Sequence, residues 1–248
     1  VLTNEVEIFF PNQYRDKIND GSARNNDRLY RNDGPGADGL PRFTLISKAA
    51  GITMEGYGLG LAISDINQDG WPDIYVCNDY LANDLLWMNQ KNGSFYNAAP
   101  KLLKHTSQFA MGNDVADINN DGWSDLFALD MLPFTNERKK LFLPANNYSK
   151  YLNNEKYGYQ YQYVRNTLQL SNGFGETDTT GAPFSEIACF LGLHETEWSW
   201  SPLMIDPDND GLRDILITNG FPKDVSDQDF GVFRANTNYL RTTKEELL

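Results

Sequence analysis

The chain has 248 residues, with 34 acidic against 21 basic side chains and a formal net charge of −13. That length suffices for one sizeable domain or two small ones. The acidity excludes nucleic acid as a natural partner, which would require a basic face, and no apolar run is long enough to span a membrane.

Residues 1–24 carry no repeat motif, and their assignment is open. Val6-Glu7-Ile8-Phe9-Phe10 reads as a strand of a preceding unit or of another module. The sequence opens on Val1 without a secretory leader, so a processed or partial chain is expected. Next comes Asn26-Asp27-Arg28-Leu29-Tyr30-Arg31-Asn32, followed by Arg42-Phe43-Thr44, which reads as a hairpin. The same phrase returns at Asn83–Asn89, with an Asn92-Gly93 turn and Ser94–Ala99. It returns again at Arg165–Gly173, with Phe184–Ala188. An Asn-Gly pair between alternating apolar residues is a strong hairpin signal.

Between these hairpins stand three copies of one nine-residue pattern. They are Asp65-Ile-Asn67-Gln-Asp69-Gly70-Trp71-Pro-Asp73, Asp117-Ile-Asn119-Asn-Asp121-Gly122-Trp123-Ser-Asp125 and Asp206-Pro-Asp208-Asn-Asp210-Gly211-Leu212-Arg-Asp214. Side-chain oxygens stand at positions 1, 3, 5 and 9 and Gly at 6. A hard cation such as Ca²⁺ takes six to eight oxygens, and alternate residues of a tight loop can converge on it. An EF-hand needs a bidentate Glu at position 12 and flanking helices. Here position 12 is Val76, Ala128 and Ile217, and the flanks are short apolar runs such as Leu59–Ile63, Ile74–Cys77, Leu126–Leu129 and Ile215–Thr218. Such runs read as buried strands. Each loop is therefore expected to close a strand–loop–strand hairpin, with the ninth-position Asp opening the second strand. The loops hold ten of the chain's carboxylates, and three bound Ca²⁺ would bring the net charge to about −7.

Loop hairpin plus Asn-Gly hairpin makes a four-stranded unit. Repeated along a chain, such units predict an all-β fold, a β-propeller. The unit from Tyr57 runs to about Ala99. The next starts near Phe109 and is stretched by a partly helical or irregular insertion at about 133–164. A third starts at Trp198 and is incomplete after Gly220. About three to four blades are present, and a repeat array needs neighbours to cover its faces, so the chain is expected to belong to a larger ring.

The loop pattern, with the N-x-L-x-x-N and N-G-x-F phrases that follow it, resembles the FG-GAP/VCBS repeat. That repeat builds the calcium-binding propeller of integrin α subunits and of the cartilage acidic protein family. The runs Gly70–Val76, Asp125–Pro133 and Trp198–Leu203 resemble large bacterial surface proteins of that type, many of them outer-membrane lipoproteins encoded beside TonB-dependent transporters. The resemblance implies a propeller over residues 25–225, with 226–248 leading out of it. It implies calcium ligands at Asp65, Asn67, Asp69 and Asp73, at Asp117, Asn119, Asp121 and Asp125, and at Asp206, Asp208, Asp210 and Asp214. The carbonyls of Trp71, Trp123 and Leu212 would complete the three sites. It also implies a non-catalytic binding or assembly module at the cell surface, with a protein partner in an outer-membrane complex. Weak calcium loops fill where calcium is near millimolar, which also favours an extracellular address.

The insertion is the part the repeat explains least. Tyr148, Tyr151, Tyr157, Tyr159, Tyr161 and Tyr163 crowd it. They either pack it onto the neighbouring unit or form a protein or glycan surface. The alternation of the last four predicts one face of an extended strand. Trp198 and Trp200 are expected on one strand face in the core, and Trp71 and Trp123 over the ions. Cys77 and Cys189 are expected in different strands, buried and unpaired. His105 and His194 sit in no triad or metal pattern, and no nucleophile elbow or phosphate loop is present. The paired carboxylates belong to the loops, where ligation would hold them ionised and make them poor general acids. The alternative to a non-catalytic module is an extracellular polysaccharide-binding or polysaccharide-degrading protein on the same scaffold.

Overall fold

The computed structural model of the chain describes residues 12–142, 147–174, 183–220 and 227–236. The strand expected at Val6–Phe10 and the chain beyond residue 236 lie outside the described residues. The fold is mostly β, with short helices between antiparallel sheets.

The first strands among the described residues form a two-stranded hairpin, β1 (Tyr30–Pro35) and β2 (Pro41–Leu45). A four-stranded antiparallel sheet follows: β3 (Gly58–Ser64), β4 (Asp73–Asn78), β5 (Leu85–Asn89) and β6 (Phe95–Asn97), in that spatial order. The turn between β5 and β6 contains the Asn92-Gly93 pair, and Gly93 takes φ 84°, a conformation that costs glycine little. After helix α1 (Ala99–Leu102) and the short strand β7 (Thr106–Ser107), the second sheet begins with β8 (Asn113–Ala116) and β9 (Asp125–Ala128).

The insertion interrupts this sheet. It holds α2 (Asn136–Leu141), α3 (Tyr148–Tyr157) and β10 (Gln162–Tyr163), and β10 pairs in parallel with β7. Both helices have side-chain N-caps. Thr135 accepts from the Arg138 N–H and Asn147 from the Lys150 N–H, which satisfies donors a helix start leaves free. The second sheet is then completed by β11 (Thr167–Ser171) and β12 (Phe184–Glu186), with α4 (Ala188–Leu191) after it. Last come the hairpin β13 (Ser199–Ile205) and β14 (Asp214–Asn219), two-stranded among the described residues, and α5 (Gln228–Asn236).

Strand periodicity explains the layers. Successive side chains point to opposite faces, so Tyr75 and Cys77 face one way and Ile74 and Val76 the other. Tyr75, Leu86 and Met88 of the first sheet pack against Leu126 and Ala128 of the second. Phe127, Leu129 and Leu168 on the far side of the second sheet meet Met204, Ile215 and Ile217 of β13–β14. Val76, Leu85 and Trp87 on the outer side of the first sheet meet Leu29 and Ile52. Units thus stack face to face in chain order, and complete burial of a side chain such as Leu86 is worth roughly 2 kcal/mol. The inner strands come closest together at Gly112, where a Cβ would collide with the Trp200 carbonyl.

Three local expectations are corrected. Cys189 is not in a strand; it is exposed on α4, whereas Cys77 is buried in β4, and both are free. Trp200, at the register shift between Ser199 and Ser201, is 40% exposed and not in the core, while Trp198 packs against the Phe109–Met131–Val164 cluster; the two rings still stack on each other, with centroids 6.1 Å apart. The four alternating tyrosines do not share a strand face. Tyr157 closes α3, where Gly158 at φ 67° caps the helix, and of the four only Tyr163 is in a strand.

Candidate metal centres

The three nine-residue patterns form three loops of one geometry. Each joins two antiparallel strands, β3 to β4, β8 to β9 and β13 to β14, and the ninth-position Asp opens the second strand each time. The backbone turns left-handed at position 4, with φ 57° at Gln68, 57° at Asn120 and 59° at Asn209, and again at the glycine. That reversal swings the N–H groups of positions 5 and 6 onto the first Asp. Asp69 N and Gly70 N donate to Asp65 at 2.9 and 2.8 Å. Asp121 N and Gly122 N donate to Asp117 at 3.1 and 2.8 Å, and Asp210 N and Gly211 N to Asp206 at 3.1 and 2.9 Å. Position 3 accepts from the same position-5 N–H in all three, through Asn67, Asn119 and Asp208.

Positions 1, 3 and 5 therefore converge. In the third loop one carboxylate oxygen each from Asp206, Asp208 and Asp210 lie within 4.8 Å of one another. In the other two loops Asn at position 3 donates to Asp69 and Asp121. The donor set is all oxygen, which suits a hard cation and not a soft one. Lys91 reaches Asp69 at 3.4 Å, so a cationic group already finds that carboxylate attractive. Trp71, Trp123 and Leu212 donate their N–H to the position-5 Asp. Trp71 is 44% exposed on the outside of its loop, whereas Trp123 leans on Phe174, with ring centroids 5.9 Å apart.

The ninth position has a second task that the spacing did not announce. Asp73 is fully buried. Its carboxylate accepts from Ile66 N at 3.0 Å and, across the sheet, from Asn89 N at 2.8 Å. Asp125 repeats this with Ile118 N at 2.9 Å and Ser171 N at 2.8 Å. Each latches its loop to the end of the third strand of its sheet. Burial pushes both carboxyls above the usual range against the pull of these hydrogen bonds, and their acidic loop neighbours add to the rise. Asp214 is exposed. The loops are also tied to one another. The Gln68 amide donates to the Gly122 carbonyl, and Asn120 donates to the Gly211 carbonyl at 2.7 Å.

Residues 65–128, which span the first two loops and the strands between them, match the FG-GAP-like repeat family. This stretch is an FG-GAP-like repeat. Curated relatives include integrin alpha-3 of Mus musculus and of Cricetulus griseus, each 33% identical over 81 residues. The similarity covers 28% of this chain and 8% of either integrin. The third loop lies outside the matched repeat but reproduces its backbone hydrogen bonds to the side chains at positions 1, 3 and 5.

The tyrosines of the insertion divide into three groups. Tyr157 and Tyr159 enclose Tyr14, at 6.0 and 5.6 Å between centroids. Tyr148, Tyr151 and Tyr161 form a stack, at 6.0 and 5.0 Å, and Tyr163 meets His105 edge-on at 5.3 Å. Five of the six are partly covered, and Tyr148 is 73% exposed. No helix among the described residues is long and apolar enough to cross a membrane.

Beyond the loops, two buried carboxylates lie at the opposite ends of the sheets. Asp84 accepts from Asn78 N at 2.9 Å and from the Tyr75 hydroxyl at 3.1 Å. Asp130 accepts from the Ser107 hydroxyl and from Gln108 N and Phe109 N. Burial pushes Asp84 up to about 7, against its hydrogen bonds and with a contribution from Asp130. The sign follows. Below about pH 4 the acid is protonated in both states. As pH rises toward 7 the unfolded chain ionises and the folded chain resists, so stability falls through that window. Asp84→Asn removes this part of the fall. Chemical denaturation should find the variant gaining on the native chain by on the order of 3 kcal/mol between pH 4 and pH 8. Parallel curves would show that Asp84 ionises freely in the fold.

Proposed function

We propose that the chain supplies blades of a calcium-stabilised β-propeller that binds a protein partner at the cell surface, as a component of an outer-membrane-type complex. The observation that carries this is the threefold repetition of one all-oxygen loop geometry between stacked antiparallel sheets. Asp65, Asn67, Asp69 and Asp73 would hold the first ion, Asp117, Asn119, Asp121 and Asp125 the second, and Asp206, Asp208, Asp210 and Asp214 the third, with the carbonyls of Trp71, Trp123 and Leu212. The bound ion would supply only charge neutralisation and crosslinking. The similarity to integrin alpha-3 supports an interaction module over an enzyme, since FG-GAP-like repeats serve as scaffolds for contact. Tyr148, the exposed end of a tyrosine stack, belongs to the partner surface of this reading. A protein partner is preferred to a glycan because the rings of Tyr151 and Tyr161 cover each other, with planes 1° apart, leaving little open platform for a sugar.

Terbium luminescence tests the metal centres. Tb³⁺ takes calcium's oxygen ligands, and Trp71 and Trp123 stand beside two of the loops. Indole excitation should give saturable terbium emission that Ca²⁺ displaces and that Asp65→Ala and Asp117→Ala each reduce. Emission indifferent to Ca²⁺ and to both substitutions would refute calcium binding at the loops.

A further inference from the structure

We propose that the calcium loops are linked in series through their fourth residue, so that an ion in one loop tightens binding in the next. Gln68 and Asn120 are the positioning residues of this link. This rests on the calcium reading above.

The ligand scheme uses positions 1, 3, 5, 7 and 9 and leaves position 4 without a task. Yet position 4 carries a side-chain amide in all three loops, as Gln68, Asn120 and Asn209. Each takes the left-handed backbone, with φ 57°, 57° and 59°. Asparagine tolerates that conformation better than most residues, which by itself explains Asn120 and Asn209. Glutamine has no such preference. Gln68 is explained by its reach. Its amide donates to the Gly122 carbonyl of the second loop, and the Asn120 amide donates to the Gly211 carbonyl of the third at 2.7 Å. Two different side chains thus find the same atom of the following loop.

That atom leads to the ligand positions. The Gly122 carbonyl and Trp123 N belong to one planar peptide, and Trp123 N donates to the Asp121 carboxylate at 2.8 Å. Likewise the Gly211 carbonyl shares its peptide with Leu212 N, which donates to Asp210 at 2.7 Å. Asp121 and Asp210 are the fifth-position ligands of the proposed sites, and Trp123 and Leu212 carry the seventh-position carbonyls. An amide that holds the carbonyl end of this peptide fixes the tilt of its N–H end, and with it the carboxylate. Hydrogen bonds in such a chain polarise and strengthen one another. At the giving end, Gln68 stands between Asn67 and Asp69, and Asn120 between Asn119 and Asp121. An ion held by both neighbours confines the backbone between them and aims the amide.

The sign follows from entropy set against charge. Confining a residue to one backbone well costs free energy. An ion in the first loop already confines Gln68, so the second loop receives an ordered donor and its own ion has less to order. Repulsion between two dications acts the other way, but salt screens it at an exposed surface, with a Debye length of about 8 Å at physiological ionic strength. Gln68 and Asn120 are exposed. The coupling is then that of one exposed hydrogen bond, a factor of about 2–10 in affinity. By linkage the factor is the same in both directions.

The test is calcium affinity at the second loop, read by terbium displacement. A Trp71→Phe chain keeps Trp123 as its one loop tryptophan, so indole-excited emission that Ca²⁺ displaces reports on that loop. Asp65→Ala, which removes the first site, should weaken calcium there by about 2–10-fold. Gln68→Met keeps the side chain's length and loses only the amide. It removes no ligand, yet it should weaken the second loop by the same factor, and Gln68→Ala should repeat the result. Asp65→Ala and Gln68→Met together should weaken it no further than either alone, a non-additivity that two separate structural effects would not give. Three results overturn the link: an affinity unchanged by Gln68→Met and Gln68→Ala, an Asp65→Ala effect that persists in full on top of Gln68→Met, or an affinity that rises when the first site is removed. In each of these the calcium reading survives, because Ca²⁺ still displaces terbium. Emission that Ca²⁺ does not displace overturns the link and the calcium reading together.

Discussion

Chelation with EGTA should lower the melting temperature by about 10–30 °C. Loops of this type in extracellular modules bind calcium with dissociation constants of about 10⁻⁴–10⁻³ M. At 10 mM calcium, each site then adds about 1.4–2.7 kcal/mol by mass action. Three sites give about 4–8 kcal/mol, and a chain of this size shifts by about 2–4 °C per kcal/mol. The charge ledger points the same way. Ten of the chain's carboxylates sit in the three loops, and the trio Asp206, Asp208 and Asp210 has like charges within 4.8 Å. Without a dication, that repulsion opposes the tight loop. Magnesium should not restore the loss, because its short octahedral shell does not suit a loop of this size. Differential scanning calorimetry in calcium, in EGTA and in magnesium reads the effect. A melting temperature unchanged by EGTA would remove calcium from the account of the fold.

The loops and the strands beside them were legible because their signal is local. Oxygen at 1, 3, 5 and 9 with Gly at 6 fixes a turn, and apolar runs on either side fix strands. β4, β9 and β14 accordingly begin at Asp73, Asp125 and Asp214. The hairpin phrases were legible for the same reason. What misled was periodicity without context. Tyr157, Tyr159, Tyr161 and Tyr163 alternate as a strand would, yet the helix from Tyr148 runs through Tyr157 to its Gly158 cap. Asn147 at the N-cap and Gly158 at the C-cap were the cues that outweighed it. Cys189 was placed in a strand because Phe184–Ala188 reads as one, but the strand stops at Glu186. The Glu186 carboxylate accepts the Ala188 N–H and pairs with Arg165 at 2.6 Å, which ends the ladder and starts α4.

Long-range hydrogen bonds could not be read at all. That Asp73 reaches Asn89 N, or that Gln68 reaches the next loop, depends on register and on stacking. A ligand pattern in sequence names the residues that face an ion, and it is silent about residues that hold the loop to the sheet. Asp73 and Asp125 hold the latch and, in the proposed reading, the ninth ligand position as well. Their equivalent in the third unit, Asp214, is exposed and has no such latch among the described residues.

That difference separates structure from metal binding in one comparison. In EGTA, Asp125→Ala should cost about 2–5 kcal/mol. The substitution leaves Ile118 N and Ser171 N without the buried carboxylate that accepts from them, and each orphaned donor costs about 1–3 kcal/mol. Asp214→Ala should cost less than about 0.5 kcal/mol under the same conditions, since its side chain is exposed. In saturating calcium both variants should lose a further, similar amount, because each then also loses one ligand of its own site and the stabilisation that went with it, so the gap between them persists. Urea denaturation of both variants, with and without calcium, supplies all four numbers. Equal losses in EGTA would mean that the buried carboxylate contributes nothing beyond its place in the loop. A loss at Asp125 that calcium does not deepen would mean that the ninth position is a strand latch and no ligand.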